Sequence, residues 1–233
     1  MKLKQMFVGA VFAAGLSLAS AATVSYDAFV LDYNDDTVLG SPSFSFNGGG
    51  GLTGFGWTLP SDIQVISLGG DVAEASFNLP TFTITAKPGW VLSGPLHSLL
   101  GNVVFNEVSS FESDAATSMT ASADVSFDGG ATESVGGLVA RVITTTSGVV
   151  TSGYYRDTAE SSHGSFSSLT VSNAVLSLRA EGGVYASIIA QPQNVLEFSI
   201  TAAPVPEPES WALLMAGLGL VGYVARRRRA ARG

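Results

Sequence analysis

The chain has 233 residues, 19 acidic against 11 basic side chains, a formal net charge of −8 and no cysteine. The missing cysteine excludes disulfides, thiolate zinc sites and cysteine nucleophiles. The acidic balance excludes non-specific nucleic-acid binding.

At the N-terminus, Lys2 and Lys4 precede an apolar run from Met6 to Leu18 and the small residues Ala19-Ser20-Ala21. That order predicts a signal peptide over 1–22, with cleavage after Ala21 or Ala22 and a mature chain starting near Thr23. The remaining chain up to residue 201 is long enough for one domain with a sizeable core. Its only basic residues are Lys87, Arg141, Arg156 and Arg179, against seventeen acidic residues from Asp27 to Glu197, so the segment carries a net charge of −13. The whole-chain value hides this, because the other seven basic residues lie in the two terminal segments.

Within 23–201 apolar and hydroxylated residues alternate nearly everywhere. Phe82, Ile84 and Ala86 alternate with threonines; Met119, Ala121, Ala123, Val125 and Phe127 with Thr120, Ser122, Asp124 and Ser126; Leu196, Phe198 and Ile200 with Glu197, Ser199 and Thr201. A period of two with one apolar face marks half-buried antiparallel strands. Turn signals at 68–71, 128–130, 147–148 and 181–183 punctuate them. Some ten to twelve short strands are expected, in an all-β antiparallel sandwich of jelly-roll type. Three stretches break the pattern and read as irregular. These are Ser41–Gly56 with its run of glycines, Pro88–Gly101, and a proline-rich linker over 202–210.

Beyond the linker, residues 211–225 contain no charge. As a helix they span about 22 Å, short of a bilayer core of about 30 Å. Trp211 at one end and Arg226, Arg227, Arg228 and Arg229 at the other fit the two interfaces and shorten the gap by snorkelling. The reading is a single short transmembrane helix with a basic cytoplasmic tail over 226–233.

The chemistry-bearing residues are sparse. The two histidines, His97 and His163, read as surface residues, and no Gly-x-Ser-x-Gly elbow occurs. Acidic pairs such as Glu107 with Glu112, or Asp124 with Glu133, follow no spacing that glycoside cleavage requires. No catalytic residue is assigned and no enzyme is expected. Asp32, Asp35 and Asp36 supply clustered oxygen ligands of the kind calcium takes, without the glycine and distal glutamate of an EF-hand; calcium is the one cofactor left open. Trp57 and Trp90 each lie beside glycine and are the candidates for stacking on sugar rings, although tryptophan in a sandwich more often belongs to the core.

The C-terminal segment resembles the PEP-CTERM sorting signal. The resemblance rests on Val205-Pro206-Glu207-Pro208, on Ser210 to Leu214, on Gly217-Leu218-Gly219-Leu220, on Gly222 and on the arginines 226–229. It implies recognition by an exosortase, with processing near the Pro-Glu-Pro, in an exported protein of a Gram-negative bacterium. The precursor would be anchored in the inner membrane and the product placed at the cell surface or outside it. The expected function is a structural or adhesive component of the surface or extracellular matrix, associated with biofilm exopolysaccharide. The alternative is a secreted carbohydrate-active protein, either a glycan-binding module or a glycosidase or lyase, using the same tail.

Overall fold

The computed structural model describes residues 21–161, 163–205 and 212–221. The expected signal-peptide residues before Ala21, the sorting residues Pro206, Glu207 and Pro208, and the expected anchor residues Trp211 and Arg226 to Arg229 lie outside them.

Thirteen strands are present among the described residues: β1 (Ala21–Ser25), β2 (Phe29–Asn34), β3 (Phe44–Asn47), β4 (Leu52–Thr58), β5 (Gln64–Asn78), β6 (Phe82–Ala86), β7 (Trp90–Val108), β8 (Ala115–Phe127), β9 (Glu133–Thr144), β10 (Val150–Ser161), β11 (Ser165–Phe166), β12 (Ser168–Ile189) and β13 (Val195–Pro204). Every ladder between them is antiparallel, and all join in one sheet. The chain is all-β.

This sheet curls over on itself into two facing layers. One layer runs β1-β2-β6-β12-β8-β9; the other runs β3-β4-β13-β7-β10. The long strands β5 and β12 belong to both. The first part of β12 pairs with β8, whereas Tyr185–Ile189 pair with β7. The core fills the space between the layers, because alternation sends every second side chain inward. Phe29 and Phe82 from the first layer meet Phe55, Trp57 and Phe198 from the second, with ring centroids 4.8 Å apart for Phe82–Phe198 and 5.4 Å for Phe55–Phe82. Burying each such ring contributes about 1.5–3 kcal/mol.

Three local expectations change. The Gly-Gly pairs at 69–70 and 182–183 are not hairpin turns but bulges within β5 and β12, set against each other where the ladder shifts register. Pro88–Gly101 is not a connection, because β7 is a 19-residue strand with pairing partners on both edges. The glycine-rich stretch 41–56 is mostly strand. Gly54 and Gly56 lie in β4 beneath the rings of Phe46 and Phe44, which occupy the space a Cβ would take, so within this stretch only 41–43 and 48–51 lie outside the strands. By contrast, the expected turn at 128–130 is present, at the start of the connection 128–132 between β8 and β9, with Asp128 and Gly129 at its centre. Both φ values are positive, and Gly130 N–H donates to the Phe127 carbonyl at 2.8 Å.

Candidate functional site

Strand β13 runs through Pro204, three residues into the expected linker, and its last ladder pair sets Pro204 opposite Trp90. Val205 N–H then donates to the Gly89 carbonyl at 2.8 Å. Sheet hydrogen bonding therefore continues to the residue before the Pro-Glu-Pro. At the other end of the chain, β1 begins at Ala21, so Ala21 and Ala22 pair with Asn34 and Tyr33 of β2.

Beyond 205, a helix is described over 212–221, with its residues exposed. Among the described residues no helix is long and apolar enough to cross a membrane.

Trp57 is corrected as a glycan platform. It is fully buried, its indole N–H donates to the Gly40 carbonyl at 2.9 Å, and its ring is enclosed by Phe55, Phe82 and Phe198. No face is open to a sugar. Trp90 is half-buried and packs against the core beside Pro204. The two tryptophans do not form one surface. The aspartates are likewise dispersed. Asp32 lies on the exposed face of β2 and accepts a hydrogen bond from Thr23 at 2.6 Å, while Asp36 accepts one from Asn34 at 2.9 Å. Among the described residues no group of three His, Asp or Glu side chains is placed to hold a metal ion, Asp32, Asp35 and Asp36 included. Of the two histidines, His163 stacks on Phe127 with centroids 3.9 Å apart, and His97 faces Glu160 at 3.8 Å.

Two interior features escape sequence reasoning. The first is a buried polar cluster. Glu107 on β7 is fully buried; its Oε1 accepts from the Thr117 hydroxyl at 2.6 Å and its Oε2 from Thr144 at 2.7 Å. The Tyr155 hydroxyl lies 2.6 Å from Thr117 Oγ1 and 2.8 Å from the Thr117 carbonyl, and burial pushes its pKa up. Thus Glu107, on strand parity an inward residue, is satisfied by hydroxyls of two strands, Thr117 of β8 and Thr144 of β9, rather than by a cation. The signal was its position: it follows Val103 and Phe105 in the inward set.

The second feature is a cleft of about 380 Å³ between the two layers, at the side where β9 and β10 face each other. Its walls are apolar. Leu96 and Leu100 of β7 and Leu196 and Phe198 of β13 oppose Ala121 and Ala123 of β8. Its charged lining residues are Asp157 and Glu160, both from β10. The signal here was a drop in side-chain size along β8, from the buried Met119 to alanine at the next two inward positions.

No curated protein matches the chain. Among solved structures, it is similar to a chain of the infectious bursal disease virus Gx strain, at 14% identity over 80% of this chain and 49% of that one, with a TM-score of 0.20. It is similar to murine APRIL at 13% identity, over 74% and 98% of the two chains, with a TM-score of 0.19. It is also similar to TmCBM61, solved in complex with beta-1,4-galactotriose, at 12% identity, over 78% and 87%, with a TM-score of 0.16. The chain spans about half the length of the viral chain. At these TM-scores none of the three likenesses carries an argument about function. The family comparison is specific: residues 204–229 match the PEP-CTERM protein-sorting motif. This chain thus carries a PEP-CTERM sorting signal beginning at the last residue of its final strand, and it is an exported protein handled by an exosortase.

Proposed function

We propose that the chain is a non-enzymatic component of the cell surface or extracellular matrix, delivered as a folded β-domain through the exosortase pathway and associated there with exopolysaccharide. The observation that carries this reading is the position of the motif. Its first residue, Pro204, is still paired in β13, so the sheet is the cargo and the tail is its address. In this reading residues 211–225, flanked by Trp211 and Arg226 to Arg229, hold the precursor in the inner membrane of a Gram-negative cell until processing.

Hydroxyl-rich outer strand faces and a net charge of −13 on 23–201 suit a solvated surface protein. Glycoside hydrolysis in most families uses two carboxylates flanking the bond to be cut. Asp157 and Glu160 stand on one strand at one side of the cleft, and Glu107 is enclosed by threonines and a tyrosine.

The test is the intact mass of the protein from cells and from culture medium, for the wild type and Glu207→Ala. A wild-type species lacking everything beyond the Pro-Glu-Pro region, absent in the variant, is the expected result. Identical masses for the two proteins, both retaining Gly233, would overturn the reading.

A further inference from the structure

We propose that the cleft between β8–β9 and β7–β10–β13 is a binding site for one aliphatic chain carrying a cationic head group. The site begins with strand parity. Inward residues of β8 face the second layer across the core, and a close-packed interior needs bulk at each of them. Met119 supplies it and is fully buried; Ala121 and Ala123 do not, and both stay half-exposed although they point inward. The opposite wall offers Leu96, Leu100 and Leu196, so a slot remains with an aliphatic surface on both sides.

The slot is open to solvent for a topological reason. Among the described residues β9 pairs only with β8, and β10 only with β7, so two unpaired strand edges face each other and leave a mouth between them. Water inside finds almost no hydrogen-bonding partner, whereas an alkyl chain is favoured there. A volume of about 380 Å³ lies at the low end of small-molecule sites, room for one narrow chain.

The head group follows from charge. Asp157 and Glu160 are exposed at the mouth, and the imidazole of His97 is set beside Glu160. On a domain this acidic, a carboxylate head would be repelled and an ammonium head attracted.

Calorimetric titration of the full chain tests this, with dodecyltrimethylammonium and dodecanoate as probes, each below its micellar concentration. Dodecyltrimethylammonium should bind one to one and dodecanoate at least about ten-fold more weakly. Filling the slot with Ala121→Leu and Ala123→Leu together should weaken binding at least about ten-fold while circular dichroism stays unchanged. Should that pair perturb the fold, Ala159→Leu at the exposed mouth tests the same point. Asp157→Asn with Glu160→Gln should bring the two probes to within about three-fold of each other. The apolar residues 212–221 are present in every variant, so binding there would survive all of these changes. Equal affinity in the wild type and the folded slot-filling variants, or the absence of a one-to-one binding event, would overturn the proposal.

Discussion

Gly182 of β12 stands directly opposite Gly70 of β5, and both adopt positive φ, +70° and +92°. Here the ladder shifts register by a bulge, which sharpens twist and bends both strands. The bend lets a 22-residue strand and a 15-residue strand pass from one layer to the other without a break. The two glycines differ in their surroundings. A Cβ on Gly182 would collide with the Asp114 carbonyl, whereas one on Gly70 would meet only the Gly183 carbonyl, at an ordinary contact distance of 3.9 Å. Gly182→Ala should therefore cost both strain and a displaced backbone, about 2–3 kcal/mol or more, and Gly70→Ala about 1 kcal/mol from strain alone. Urea unfolding followed by circular dichroism measures both. Equal losses would mean that the Asp114 contact does not constrain the corner.

The cluster around Glu107 makes a second prediction. Thr117→Val keeps the shape of the side chain but leaves Oε1 of a fully buried carboxyl without a donor and removes a partner of the Tyr155 hydroxyl. A loss of about 1–3 kcal/mol is expected, with most of it restored by Thr117→Ser. Equal stabilities for the valine and serine variants would show that the hydroxyl is dispensable.

A third prediction concerns acid. Hydrogen bonds from Arg179 hold the Glu181 carboxyl below its ordinary range; burial opposes this, and the charges of Arg179 and Arg141 add to it. A folded-state pKa below the unfolded one stabilises the fold above the unfolded carboxylate range. That contribution is lost as pH falls through the folded value. Arg179 also pairs with Glu74, so Arg179→Met removes both contacts. At neutral pH the variant should be slightly less stable, since the groups are part-exposed. Below the folded pKa of Glu181 the difference should shrink. Denaturant midpoints at neutral pH and at about pH 3 check the sign; a difference that grows in acid would refute it.

Much of the architecture was legible in the chain itself. Alternation in Phe82–Ala86, Met119–Phe127 and Leu196–Thr201 is a backbone property, and it identified strands with one buried face. The motif at Pro206-Glu207-Pro208 is read by an enzyme as linear sequence, so no fold was needed to see it. The misreadings have a shared cause. Glycine pairs at 69–70 and 182–183 look the same whether they turn a hairpin or bend a strand, because both require positive φ. Pro88–Gly101 looks irregular until β10 and β13 are present to pair with it.

The sequence by itself determined the all-β class, the acidic exported segment and the sorting tail, since these depend on composition, period and contiguous residues. Tertiary structure alone decided that Trp57 is core, that Asp32, Asp35 and Asp36 form no ligand set, that Glu107 is caged by Thr117 and Thr144, and that small residues on β8 open a cleft. Each of those depends on which strands face one another, and that pairing is set by contacts between residues far apart in the chain.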